Sequence, residues 1–266
     1  MKLSIIIAVY NEATTADTLL ERVWAQALPG IAKEIVIVES NSTDGSRDIV
    51  DAFAARHAAE SHARILVIHQ DAPRGKGNAI RQGLANASGE ILMIQDADLE
   101  YDVADYPDLL KPIIEERAAF VLGSRHMGPN GWKIRKFARG GLQASMMNLG
   151  GMLFHAFFNA LYASRLTDPT TMYKVFRADC LDGLTLTCER FDFDFELLGK
   201  LIRSGFMPLE IPVSYRSRGF DEGKKIRLLR DPLTWLAAII TTRFAALPAR
   251  PATEKSRQPA HRHGTS

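Results

Sequence analysis

The stretch Glu90-Ile-Leu-Met-Ile-Gln-Asp-Ala-Asp98 is an apolar run that ends abruptly in two carboxylates. Ile91 to Ile94 is too short for a helix and suits a strand buried on both faces, as in a parallel sheet. Strand alternation sends residues i and i+2 to the same face, so Asp96 and Asp98 should arrive together at the strand end. Two hard oxygen ligands so placed can hold Mg²⁺ or Mn²⁺, the remaining ligands coming from water and a diphosphate. An isolated Asp-x-Asp also describes a solvated acidic loop, so the pair has to be read with what surrounds it.

Outward from this stretch, Leu3 to Val9, Glu34 to Glu39 and Arg64 to His69 also read as buried strands. Thr15 to Ala27, Ser46 to His57 and Lys76 to Asn86 carry the helical period between them, and Thr43, Asp44 and Gly45 form a turn able to cap the second helix. Repeated strand, helix, strand predicts an α/β domain with a parallel sheet. Ligands in such sheets gather beyond the carboxyl ends of the strands. Those ends are polar here: Tyr10-Asn-Glu12, Glu39-Ser-Asn-Ser42, Asp71 with Arg74-Gly-Lys-Gly77, and Asp96-Ala-Asp98. Arg74-Gly-Lys-Gly-Asn78 opens a helix with glycines that allow close backbone approach and cations that complement phosphate, although an ordinary glycine-containing helix start has the same appearance. It matches neither a P-loop nor a complete dinucleotide fingerprint, which removes the main support for ATP hydrolysis or hydride transfer. The second half is less regular. It suggests strands at Phe120 to Ser124, Met172 to Phe176 and Pro208 to Tyr215, with a helix over Asp194 to Ser204.

The 33 basic and 31 acidic residues leave a formal charge of +2, which gives no global field favouring nucleic acid, so any anionic ligand must be held locally. Two cysteines and the lack of an export signal in the first residues suggest a cytoplasmic setting. Gly140 to Ser164 carries no charge, yet Gln143, Asn148, His155 and Asn159 interrupt it, which suits a buried or interfacial helix. The apolar residues of Pro232 to Thr242 recur at helical spacing but are too few to span a bilayer. The tail from Pro248 has no apolar period and is expected to be disordered.

Four pieces taken in order carry a resemblance: Ser4-Ile-Ile-Ile-Ala-Val-Tyr-Asn-Glu12, Ile37-Val-Glu-Ser-Asn-Ser-Thr-Asp-Gly45, Arg74-Gly-Lys-Gly77 and Ile94-Gln-Asp-Ala-Asp98. Together they resemble a family-2 glycosyltransferase with the GT-A fold, a Rossmann-like, mostly parallel sheet flanked by helices with a C-terminal acceptor-side extension. Gly123-Ser-Arg125, Thr167-Asp-Pro-Thr-Thr-Met-Tyr-Lys-Val-Phe176 and Arg218-Gly-Phe-Asp-Glu-Gly-Lys-Lys-Ile226 are similar to the dolichyl- or polyprenyl-phosphate sugar synthase branch. The resemblance implies a glycosyltransferase domain over residues 1–232, with a nucleotide-sugar half at 1–100 and an acceptor half at 101–232. An amphipathic helix at 233–247 and a disordered tail at 248–266 would follow.

Residue by residue, the resemblance implies that Tyr10, Glu12 and Glu39 line base and ribose, that Asp71 and Lys76 complete that side, and that Asp96 and Asp98 bind the metal. Ala8 belongs to the same pocket but stands where many relatives carry Pro, and Glu39-Ser40 replaces a common pair of Asp residues. Arg125, Arg135 and Arg139 resemble acceptor-phosphate contacts, a role that planar guanidinium donors suit; a solvated basic face is the alternative for the cluster around Arg135. Arg218 and Lys224 look like a basic loop over the diphosphate. Asp168 and Glu196 are candidates to orient the acceptor or act as base, whereas His155 reads as a satisfied core histidine.

The expected reaction is inverting transfer of a hexose from a UDP- or GDP-sugar to a polyprenyl phosphate, dependent on Mg²⁺ or Mn²⁺, by a peripheral protein at the inner face of the membrane. Transfer to a glycan or soluble hydroxyl is the alternative within the same class. A non-catalytic nucleotide-sugar binding or assembly protein is the alternative outside it.

Overall fold

The computed structural model describes residues 1–127, 141–217 and 231–247. Four strands form early: β1 (Lys2–Val9), β2 (Ala32–Glu39), β3 (Ala63–His69) and β4 (Ile91–Asp96). Between them lie α1 (Ala16–Ala25), α2 (Ser46–Arg56) and α3 (Lys76–Asn86). The remainder is α4 (Tyr106–Ile114), β5 (Phe120–Ser124), α5 (Gly141–Tyr162), β6 (Lys174–Arg177), α6 (Phe193–Arg203), β7 (Leu209–Pro212) and α7 (Asp231–Phe244). They build one seven-stranded sheet in the order β3-β2-β1-β4-β6-β5-β7.

Strands β1 to β4 pair in parallel, while β6 runs antiparallel to both β4 and β5. Ile5, Ile6 and Ile7 of β1, Ile35 to Val38 of β2 and Leu92 to Ile94 of β4 are all buried, which explains why these strands are continuous apolar runs rather than alternating ones. The register sets Ala8 beside Asp96 and Val9 beside Glu39, so three strand ends open on the same side. Thr15, at the entry to α1, donates its hydroxyl to the Ala97 carbonyl at 3.0 Å and ties that helix to the loop after β4. Helix α2 starts after Gly45, whose φ of 93° favours glycine, and Asp44 accepts the Ser46 N–H at 3.0 Å.

The fold is the GT-A arrangement expected from the sequence, with differences in its second half. Helix α4 has no counterpart in the sequence reading. Strand β6 starts at Lys174 rather than Met172, because Met172 N–H donates to the Tyr101 hydroxyl instead of a neighbouring strand. Strand β7 ends at Pro212, and Tyr215 makes only an isolated bridge to Tyr101. No helix among the described residues is long and apolar enough to cross a membrane. Helix α5 buries Asn148, His155, Phe158 and Tyr162 and exposes Leu149, Met152, Leu153 and Phe157. The expected tail at 248–266 lies outside the described residues.

Candidate active site

The ends of β1 and β4 open into a cavity of about 650 Å³, whose far wall comes from α5, α6 and the start of α7. Asp96 and Asp98 both line it. Lys76, in the first turn of α3, places its ammonium Nζ 2.7 Å from Asp96 Oδ1, with only 15% and 20% of the two side chains exposed. Burial alone would push the Lys76 ammonium towards the neutral form, but Asp96, Asp194 and Asp98 outweigh it and hold the pKa above the ordinary lysine value. The Asp96 carboxyl is pushed up, first by burial and then by the charges of Asp194 and Glu100, despite Lys76. The four carboxylates Asp96, Asp98, Asp194 and Glu100 outnumber the two ammonium groups that pair with them, Lys76 on Asp96 and Lys174 on Asp194. That excess, carried on hard carboxylate oxygens, fits a divalent cation such as Mg²⁺ or Mn²⁺.

Lys76 is held by a seam between the two halves of the chain. Gly75 has φ 103°, and a Cβ there would lie 2.5 Å from the Glu189 carbonyl oxygen. A Cβ on Gly77 would lie 2.6 Å from Cβ of Phe193. The glycines expected to admit a ligand thus admit the chain's own segment 188–193, and the Asn78 N–H donates to the Glu189 carbonyl at 3.0 Å. Across the seam, Asp194 faces the cavity and accepts from Lys174 Nζ at 3.0 Å. Lys174 is fully buried, and desolvation draws its pKa below the ordinary value despite Asp194. Neither residue stands out in the sequence. Asp194 was hidden in an alternation with Phe191, Phe193 and Phe195 that reads as packing, and Lys174 in a run that reads as a strand.

Of the residues expected at the donor site, Ala8, Tyr10, Glu12, Lys76, Asp96 and Asp98 line the cavity, and Asp71 and Glu39 do not. Asp71 is exposed, and its backbone carbonyl accepts from the Asn41 side chain. Glu39 is fully buried and accepts the N–H groups of Ser42 at 2.7 Å and Asn41 at 3.2 Å. Burial would raise its carboxyl, yet the Ser42 donors, His69 and the Asn41 N–H bring it below the ordinary value. Glu39 therefore shapes the turn that presents Ser40 to the cavity. Glu39→Ala should cost about 1–3 kcal/mol of stability in denaturant unfolding and weaken nucleoside diphosphate binding only through that turn. Unchanged stability with weakened binding would restore a direct contact.

Asp168 and Glu196, the candidate bases, are both held by other groups of the chain. Asp168 Oδ2 accepts Arg125 Nε at 2.7 Å and the Arg125 backbone N–H at 3.0 Å, while Oδ1 accepts Arg125 Nη2 at 2.7 Å. Burial opposes its charge, but the Arg125 guanidinium outweighs it and holds the carboxyl far below the usual carboxylate range. A carboxylate so committed is a poor proton acceptor. Glu196 accepts from the Thr187 and Cys188 N–H groups and from Lys200 Nζ, outside the cavity lining. Arg125 does reach the cavity, with its guanidinium 5.1 Å from the Tyr215 ring centre. His155 is buried and lies 3.1 Å from the Thr170 hydroxyl. His126, His155 and Asp168 bring ligand-type atoms within 4.8 Å of one another, but the guanidinium already spans both Asp168 oxygens and would repel a metal ion there. Arg135, Arg139, Arg218 and Lys224 lie outside the described residues.

The sequence model for glycosyl transferase family 2 matches residues 4–182. Glycosyltransferase AglD of Haloferax volcanii is 26% identical over 248 residues, covering 91% of this chain and 37% of that protein. Dolichol-phosphate mannosyltransferase of Pyrococcus furiosus is 26% identical over 229 residues, covering 85% of this chain and 61% of that protein. The chain thus spans less than two thirds of the length of either relative. Glucosyl-3-phosphoglycerate synthase of Mycobacterium tuberculosis, solved with Mn²⁺, UDP and glucosyl-3-phosphoglycerate, superposes with a TM-score of 0.62 at 19% identity, covering 91% of this chain and 79% of that one. That likeness is one of fold.

Proposed function

Because the chain belongs to glycosyl transferase family 2, we propose that it transfers a hexose from a UDP- or GDP-sugar to a polyprenyl phosphate, with inversion at the sugar carbon. The observation that carries this reading is a single cavity with Asp96, Asp98 and Lys76 on one side and Gly150, Gly151, Phe154 and Trp235 of α5 and α7 on the other. One side suits a diphosphate and the other an apolar chain. Leu149, Met152, Leu153 and Phe157 on α5, with Leu233, Ile240 and Phe244 on α7, are exposed apolar side chains on the two helices that form this wall. Such faces suit peripheral insertion at a membrane surface. The relative from Pyrococcus furiosus, named a dolichol-phosphate mannosyltransferase, supports the same acceptor class. Residues 1–232 would act as one catalytic unit, and α7 as part of its lipid side.

Asp96 and Asp98 would hold the divalent ion, which supplies positive charge for the leaving diphosphate. Lys76 donates to the same diphosphate, assisted by Arg218 and Lys224 from the sequence resemblance. The acceptor phosphate oxygen forms the new bond to the sugar carbon as the bond to the diphosphate breaks, and a nucleoside diphosphate leaves. A phosphate monoester has a second pKa of about 6, so its oxygen is already anionic at neutral pH. No protein base is then needed, which agrees with the commitment of Asp168 to Arg125 and of Glu196 to Thr187, Cys188 and Lys200.

The test is incubation with Mn²⁺, UDP- and GDP-hexoses, and either undecaprenyl phosphate or soluble sugar acceptors. A labelled lipid-phosphate hexose and a free nucleoside diphosphate are expected. In the same assay Arg139→Ala should raise the acceptor KM about tenfold with donor KM nearly unchanged, and Arg139→Lys should recover little of it. Product only on a soluble hydroxyl would overturn the lipid assignment and turn attention to Asp194, the cavity carboxylate on the acceptor side.

A further inference from the structure

The Lys76 ammonium and a divalent ion make conflicting demands on Asp96. Nζ stands 2.7 Å from Oδ1 in a nearly buried contact. A Mg²⁺ or Mn²⁺ ion ligated by that carboxylate would sit about 2.0–2.2 Å from its oxygen, against the ammonium, in surroundings where screening is weak. Even on the second oxygen, the ion would share one carboxylate with a nearby ammonium, and each cation weakens the hold of the other unless the ammonium moves. The lysine has somewhere to go. Its Nζ already lies 5.7 Å from the Phe191 ring centre and feels the charge of Asp194 across the seam. Four rotatable carbons allow the head to swing while α3 stays fixed by its glycines.

We propose that Lys76 serves as a resident cation on Asp96, yielding that carboxylate to the divalent ion only when a nucleoside diphosphate offers the ammonium a new anionic partner. Lys76 is then a positioning residue that couples the two ligands, in addition to any contact it makes during transfer. The proposal rests on the assignment of Asp96 and Asp98 as metal ligands. Without the nucleotide, the ion must displace a buried ion pair; with it, the displaced ammonium is re-paired. Reciprocity requires that the ion strengthen nucleotide binding by the same factor. The device keeps the Asp96 carboxylate partnered between turnovers and makes loading of the ion and donor a joint event.

The experiment measures Mn²⁺ binding, by the loss of the free-ion paramagnetic resonance signal, to the wild type, Lys76→Met, Lys76→Gln and Asp98→Asn, each alone and with UDP or GDP. The wild type should bind Mn²⁺ weakly alone and more tightly with nucleotide. Both Lys76 variants should bind Mn²⁺ alone about tenfold more tightly than the wild type, within the range that coupled sites span, and the gain from nucleotide should shrink. Lys76→Gln is one bond shorter but retains a neutral donor, which keeps the comparison available if the Met variant folds poorly. Unchanged or weaker Mn²⁺ binding by both Lys76 variants, with normal nucleotide-dependent binding in the wild type, overturns the resident-cation role alone. Absence of Mn²⁺ binding in every protein, or undiminished binding in Asp98→Asn, overturns the metal assignment itself.

Discussion

Asp98→Asn should lower turnover by about a hundredfold or more, equivalent to about 3 kcal/mol of transition-state stabilisation, while leaving the fold intact. Asp98 lines the cavity beside Asp96, and its Oδ1 accepts the Glu100 N–H at 3.1 Å. The amide oxygen of Asn can keep that hydrogen bond, so the loop after β4 should hold its shape. What is lost is the charge. A neutral amide is a weaker ligand for a hard divalent ion, and less positive charge then faces the leaving diphosphate. The measurement is steady-state release of nucleoside diphosphate across a Mn²⁺ titration, with circular dichroism to check the fold. Near-normal turnover in the mutant, or wild-type turnover in excess chelator, would remove Asp98 from the metal site.

Asp168→Ala should have the largest effect on stability, costing about 3–5 kcal/mol because it strands a buried guanidinium. Arg125 has three donor contacts to this one carboxylate, counting its backbone N–H, and both side chains are buried. Removing both charged partners should cost less than removing Asp168 alone, so Asp168→Ala combined with Arg125→Met should recover part of the loss. The folded carboxyl lies below its unfolded pKa of about 3.9. Its contribution is therefore fully present above that value and is lost as pH falls through the folded pKa. Denaturant unfolding should show a penalty that is constant at neutral pH and shrinks only in strong acid. If Asp168→Asn reduced turnover without changing stability, the residue would be a base after all.

The first hundred residues were legible because their information is local. Strands β1, β2 and β4 announce themselves as apolar runs buried on both faces, β3 is a half-buried edge run, and α3 spans Lys76–Asn86 as its period and glycines suggest. The polar strand ends could be gathered into one crevice by topology alone. The acceptor half resisted because its decisive partners are distant in sequence. Nothing around Asp168 says that its carboxylate is spoken for by a residue 43 positions earlier. Glu196 sits in a run of alternating acids and rings, and only the fold reveals that the Thr187 and Cys188 backbone turns back onto it. Lys174 and Asp194 are 20 positions apart and meet beneath the cavity. Charge type was readable at each position, but the pairing that decides whether a charge is catalytic or structural was not.

The placement of β6 has a consequence for how this chain comes to be made. Strand β4, which delivers Asp96, borders β1 on one side and β6 on the other. During synthesis, residues 1–100 leave the ribosome with the β4 edge bare until Lys174–Arg177 emerges and closes it. An exposed apolar edge of this kind invites pairing with another nascent chain. A chain cut ahead of β6 should therefore keep the β4 edge open and aggregate more readily than the full chain.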